Sequence, residues 1–169
     1  MDVNKSSRHA KITGDFGEAL VLYWLSKYGF ECARVDHTGI DLIARNPHTH
    51  EIMGISVKCR CRKEGTEGKS VNIAQHHIRN ADEACNAFGC KLYFAIVVDA
   101  GDRIRVYMVP RKRMLALLSK SKTPTWRMSE EYLDHYSREK QIQAFEFRTS
   151  TKRWWAGHVR NRQHACNTA

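Results

Sequence analysis

The run Lys91-Leu92-Tyr93-Phe94-Ala95-Ile96-Val97-Val98 is of strand length and apolar at nearly every position. Successive side chains of a strand point to opposite faces, so a strand like this must be covered both above and below. A sheet with one solvated face does not provide that cover. A sheet with helices on both sides does, and the rest of the chain supplies two candidates. Thr13 stands as an N-cap, Asp15 and Glu18 put negative charge in the first turn, and Gly29 is a stop, which together predict a helix over 14–28. Ala19, Leu22, Tyr23, Leu25 and Ser26 trace its buried stripe. A second helix is predicted over 72–88, with Ala74, Ile78, Ala81, Cys85 and Phe88 at helical spacing and Gly89 as its cap.

The remaining elements follow from alternation and turn chemistry. Phe30 to Val35 reads as a short strand, Gly39-Ile40-Asp41-Leu42-Ile43-Ala44 as a second and Glu51 to Arg60 as a third. Arg45 to His50 between the last two is polar and contains Pro47, which suits a hairpin. Ile104, Val106 and Met108 alternate with Arg103, Arg105 and Tyr107, a strand with one wet, basic face. Beyond Pro110, short helices are expected over 111–118 and from Ser129 to Tyr136, then a strand over 142–147. Helix, three strands, helix, two strands and an appendage make an α/β three-layer sandwich with a mixed central β-sheet flanked by helices. The divisions expected are a polar N-terminal arm (1–12), a core (13–110), a basic C-terminal extension packed on the core (111–156) and a disordered tail (157–169).

At 169 residues with 42% hydrophobic content, the chain is long enough to bury a core. No apolar run reaches the roughly 20 residues needed to cross a bilayer, and the first residues lack a signal-peptide apolar segment. A cytoplasmic protein without a membrane partner is the expectation. The six cysteines show no disulfide framework and are read as reduced, and Cys59-x-Cys61 as alternate residues of a strand rather than a zinc site.

The formal net charge of +10 is unevenly spread. Residues 1–102 are neutral, while 103–169 carry 15 Lys+Arg against 5 Asp+Glu. A basic third on a neutral body points to a polyanion, since phosphates reward Lys and Arg through counterion release. Trp126, Trp154 and Trp155 lie among these basic residues and are candidates for stacking on bases.

Chemistry concentrates on the two hairpin strands. Parity places Asp41 and Ile43 on one side of the first, Ser56 and Lys58 on one side of the second, so a carboxylate and an ammonium can meet. Arg60 and Arg62 continue the parity of Lys58 and are candidates for phosphate contacts. Glu18 falls one turn before Leu22, as either a surface group favourable to the helix dipole or an inward-facing acid. Of His76 and His77, about 100° apart on their helix, at most one is expected to reach such a site. His37 is ambiguous.

A helix with Glu18, a strand with Asp41, a strand ending in x-x-Lys58, then a helix and a buried strand resemble the PD-(D/E)xK nuclease superfamily over about residues 12–109. The look is nearest to archaeal Holliday-junction resolvases and small prokaryotic nuclease-like domains. The resemblance implies a restriction-endonuclease-like fold, hydrolysis of DNA phosphodiesters with Mg²⁺ or Mn²⁺, and, for cutting two strands, a homodimer. It implies Asp41 as a metal ligand, Lys58 as the catalytic lysine, Glu18 as the helix carboxylate of the metal shell, and Gln75 as a polar helix residue facing substrate. The departure is Ser56, which stands where the motif has Glu. Either another carboxylate has moved in, with Asp36, Glu31 and Glu51 as candidates, or Glu18, Asp41, a carbonyl and waters hold the ion, or catalysis is lost. The alternatives are thus a catalytically impaired nucleic-acid-binding relative and, in a third class, a protein-interaction domain with no nucleic-acid role.

Overall fold

The computed structural model describes residues 6–119 and 123–149. Trp154, Trp155 and the expected tail 157–169 lie outside the described residues. The element order is α1 (His9–Lys27), β1 (Glu31–His37), β2 (Ile40–Arg45), β3 (Ile52–Cys61), β4 (Val71–Asn72), α2 (Gln75–Phe88), β5 (Lys91–Ala100), β6 (Arg103–Pro110), α3 (Arg111–Leu117), β7 (Thr125–Trp126), α4 (Glu130–Arg138) and β8 (Gln143–Arg148). Six strands form one sheet in the order β1-β2-β3-β5-β6-β8. Only β3 and β5 run parallel, joined through α2; the other pairs are antiparallel, so the sheet is mixed. Among the described residues no helix is long and apolar enough to cross a membrane.

The doubly apolar run is covered as its composition demands. Leu92, Phe94, Ile96 and Val98 of β5 belong to a core with Ile78, Ala81, Ala84 and Cys85 of α2, Met114 of α3 and Tyr136 of α4. Ala95 and Val97 belong to the opposite core with Val21 and Leu25 of α1. One helix thus lies on one face of the sheet and three on the other, an α/β sandwich of three layers.

Helix α1 begins at His9 rather than after Thr13, so part of the expected arm is helical. The Thr13 hydroxyl donates to the His9 carbonyl one turn back at 2.7 Å instead of capping. The buried face is also rotated from expectation: Gly17, Val21 and Leu25 point inward, whereas Ala19, Tyr23 and Ser26 are exposed. The phase is set at Gly17, where a Cβ would stand 2.5 Å from Cys59 Cβ on β3, and only glycine permits that approach. Helix α2 starts at Gln75, not 72, because the β-branched, fully buried Val71 opens the two-residue strand β4 paired to β7, and the equally buried Ile73 follows it. Phe88, expected in its stripe, is exposed and meets His37 edge-on. Gly89 takes the left-handed cap with φ 64°.

The C-terminal third is more interior than its charge suggests. β8 extends the sheet at β6. Trp126, a candidate for base stacking, is 0% exposed and stacks on Tyr136 at 4.0 Å, with Tyr107 of β6 against both. The supposedly wet face of β6 is therefore wet only at its start, since Tyr107 and Val109 are buried beneath these aromatics. Several of the basic residues are neutralised within the fold: Arg111 by Asp82, Arg113 by Glu139, Arg105 by Glu146 and Arg138 by Asp134.

The close approach at Gly17 makes a direct test of this packing. Gly17→Ala should destabilise the protein by about 1–3 kcal/mol through overpacking against Cys59. Gly14→Ala, three residues earlier in the same helix and with nothing within 4 Å of its Cβ, should stabilise it by up to ~1 kcal/mol. Urea unfolding of the two variants beside the parent reads both signs.

Candidate active site

β2 and β3 pair from Arg45 and Ile52 to Leu42 and Ile55, and there the ladder ends. β3 continues to Cys61 against β5 alone. Asp41 is the first residue past the break, and its side chain stands in for the missing strand: Val57 N–H donates to Asp41 Oδ2 at 2.6 Å. Gly39, with φ 115°, turns the chain into β2 directly against the α2 backbone, where any Cβ would collide with the Asn80 carbonyl. The opened strands, this turn and the first turns of α2 enclose a cleft of about 280 Å³ lined by Thr38, Gly39, Asp41, Lys58, His76, His77 and Asn80. A larger cleft of about 660 Å³ lies elsewhere, along Trp24, Phe30, Met108 and Phe145, but none of its walls is a carboxylate or imidazole.

Within the cleft the two hairpin groups influence each other. Lys58 Nζ donates to Ser56 Oγ at 2.8 Å and to the Val57 carbonyl at 3.2 Å. Ser56 is 1% exposed, so this hydroxyl is a fixed anchor for the ammonium. Burial lowers the Lys58 pKa below its ordinary value, with Asp41 opposing the shift and Arg60 adding to it. Burial raises the Asp41 pKa, against the Val57 N–H and Lys58, with Glu18 adding a further push upward. A part-buried acid and a part-buried base, each displaced toward its neutral form in one cleft, are typical of functional sites.

Helix α2 contributes more than expected. Both His76 and His77 line the cleft, because it straddles the first turn of the helix and is bordered by residues 100° apart. Their rings meet edge to face at 4.2 Å. His77 has its pKa lowered, first by burial and then by Lys58, His76 and Arg60, which favours the neutral imidazole. Its Nδ1 is buried with no hydrogen-bond partner, a state that costs about 1–3 kcal/mol unless a partner arrives. Thr38 and Asn80 were not expected here. Asn80 sits one turn after His76, and that spacing was the available signal.

The other expected residues are dispersed. Glu18 is not in the cleft lining: its Oε2 accepts from Arg34 Nη2 at 2.6 Å, although its charge still reaches Asp41. Arg60 donates to its neighbour's carbonyl on Cys59 at 2.8 Å, and its head is exposed. Arg62 does not present a free guanidinium to phosphate, because its Nη2 donates to the carbonyls of Lys69 and Ser70 and so pins the loop after β3. Gln75 lines a different cleft, with Arg79, Asp82 and Arg111. None of the candidates for a migrated carboxylate lines the site. Glu51 binds Lys91 and Tyr93, while Glu31 and Asp36 lie on the edge strand β1. His37 is turned to the Thr38 carbonyl and Phe88.

The donor set bears on the divalent ion that the sequence resemblance implies. Among the described residues no three or more His, Cys, Asp or Glu side chains gather at metal-binding spacing. What the cleft offers is one carboxylate, with Oδ2 engaged, and an orphaned ring nitrogen. That set suits an ion bound by few protein atoms and completed by water and phosphate oxygens.

No protein-family model matches this sequence. No curated protein matches it either. Among solved structures, the chain is similar to a Holliday junction resolvase, Hjc, from the archaeon Archaeoglobus fulgidus. The TM-score is 0.50 at 18% identity, over 70% of this chain and 89% of that one. At that identity the likeness is one of fold, and it agrees with a mixed six-stranded sheet flanked by helices.

The raised Asp41 pKa has a consequence for stability. An acid whose native pKa lies above its unfolded value of 3.8 is penalised when ionised, and the penalty disappears as pH falls through that window. Asp41→Asn, which keeps an oxygen for the Val57 N–H, should therefore raise the thermal midpoint at pH 7. The gain should shrink to nothing below pH 3.8, where the parent carboxyl is protonated both folded and unfolded. Calorimetry across pH 3–7 checks the sign, and a midpoint lowered at pH 7 contradicts it.

Proposed function

We propose that this chain hydrolyses phosphodiester bonds of DNA with Mg²⁺ or Mn²⁺, using Asp41 and Lys58. The observation that carries this reading is the cleft at the end of the β2–β3 ladder, where the two groups lie together, each shifted toward neutrality. The nuclease-like fold makes a phosphodiester the natural substrate class, and the fold neighbour is a resolvase of DNA junctions by name.

Each residue has a role that its surroundings allow. An ammonium has three donors, of which Lys58 spends two on Ser56 Oγ and the Val57 carbonyl, leaving one for a phosphoryl oxygen. The negative charge that builds on the phosphoryl oxygens during attack is stabilised by that fixed donor in a partly dry site. Asp41, tethered through Oδ2, keeps Oδ1 to hold a divalent ion or orient water. A bound Mg²⁺ or Mn²⁺ supplies polarisation of the phosphoryl oxygen and acidification of water. Ser56 contributes no charge, so Lys58 is less firmly protonated than beside a glutamate. In the net reaction water forms a P–O bond, the P–O bond to the leaving sugar breaks, and the water protons pass to the leaving oxygen and to solvent. Arg60, with its exposed head beyond Lys58, is placed to meet a backbone phosphate.

A second reading, a DNA-binding relative without catalysis, is favoured by the Lys58–Ser56 hydrogen bond, which engages the ammonium, and by the Glu18–Arg34 hydrogen bond, which holds that carboxylate outside the cleft. Incubation with plasmid, linear, single-stranded and branched DNA plus Mg²⁺ or Mn²⁺ separates the two. Cleavage should fall about 10²–10³-fold in Asp41→Ala and in Lys58→Ala. Cleavage that persists in both variants sinks the assignment, and binding without cleavage by the parent selects the second reading. In binding assays Arg60→Ala should lower the slope of log affinity against log salt by about 1, and Arg62→Ala should not.

A further inference from the structure

We infer that His77 supplies the second protein ligand of the divalent ion in this cleft, a ring nitrogen in place of the carboxylate absent at Ser56. The inference rests on the proposed phosphodiesterase reading and names the donor which that reading leaves open.

Three observations converge on it. No carboxylate has taken over the position: Glu51 is bound to Lys91 and Tyr93, Glu18 to Arg34, and neither Glu31 nor Asp36 lines the cleft. The Ser56 hydroxyl is buried and engaged by Lys58. His77, in contrast, lines the cleft with Asp41 and holds a buried Nδ1 that no protein group satisfies. Its place is rigid, since the next residue, Ile78, and then Ala81 are packed in the core beneath α2. His76 shares the cleft but is exposed, which leaves His77 as the preorganised donor of the two.

An Asp–His pair makes a chemical prediction that an Asp–Glu pair does not. Mg²⁺ is hard, takes oxygen ligands and keeps its water, whereas imidazole suits later first-row ions. The cleft should therefore favour Mn²⁺ or Co²⁺ over Mg²⁺. With only two protein ligands, the ion completes its shell with phosphate oxygens, so it binds more tightly when nucleic acid is present.

The test uses proton NMR of the imidazole signals on the whole chain, with substoichiometric Mn²⁺ added alone and then with a phosphorothioate DNA duplex that resists cleavage. The His77 signals, assigned by their disappearance in His77→Gln, should broaden ahead of those of the other histidines, more strongly with the duplex. Asp41→Asn should abolish the selectivity. In parallel, Mn²⁺-supported cleavage by the parent should exceed Mg²⁺-supported cleavage at least tenfold, and His77→Glu should lower that ratio tenfold or more. His77 signals that stay sharp, or broaden no sooner than the rest, overturn the inference. So does DNA cleavage unchanged in His77→Gln, which leaves the phosphodiesterase reading intact. Selective broadening in a protein that cleaves no DNA with any ion upholds the metal ligand and overturns the reading.

Discussion

The hydrogen bond from Val57 N–H to the Asp41 carboxylate is the point on which the site depends. Two antiparallel strands that stop pairing leave backbone donors exposed to a half-buried space, and each must find a partner. Here a side chain substitutes for a strand. Asp41 thereby closes the ladder and is held in a position from which it faces Lys58. The arrangement has an energetic cost, since burial works against its ionised form. For stability alone a neutral acceptor would serve the Val57 N–H without that cost.

The sandwich around that bond explains why the opening can exist. β3 is held along its length by its parallel partner β5, from Met53 to Cys61, so losing β2 on its other side does not release it. Helix α1 closes on β3 from one face through Gly17, and α2 presses its Asn80 carbonyl against the turn at Gly39 from the other. The cleft is bounded by β2, β3, α2 and the turn before β2, which are held by packing outside it. Preorganisation is thus paid for by the two cores rather than by contacts among the polar groups.

Much of this was legible from residues. The doubly apolar run of β5 demanded two helical layers, and strand parity allowed Asp41 and Lys58 to meet across the hairpin. Those inferences depend on periodicities of two and 3.6 residues, which tertiary context rarely alters. What was not legible depended on contacts between distant segments. Thr13 reads as a cap until its hydroxyl is seen to turn back into a helix already begun at His9. Trp126 reads as a stacking surface until Tyr107 and Tyr136 are brought around it. Arg62 shares the parity of Lys58, but its guanidinium donates to the loop carbonyls of Lys69 and Ser70. Gln75 and His77 are two residues apart on one helix, and its rotation decides which lines the cleft with Asp41.

The loss of a carboxylate at position 56 also changes how the remaining charges act. With Glu there, Lys58 would sit between two anions and stay protonated; with Ser it has one, Asp41, while Arg60 pushes the other way. Asp41 likewise gains by the absence, because a second anion beside it would raise its pKa further. A neutral imidazole adds a lone pair to the cleft without adding negative charge, so it is compatible with both neighbours. A carboxylate returned to the sheet would instead compete with Asp41 for the single ammonium. The cleft is therefore balanced for a donor that is polar but uncharged, and on the α2 face Asn80 and the His77 imidazole, whose pKa is lowered by burial, are of that kind.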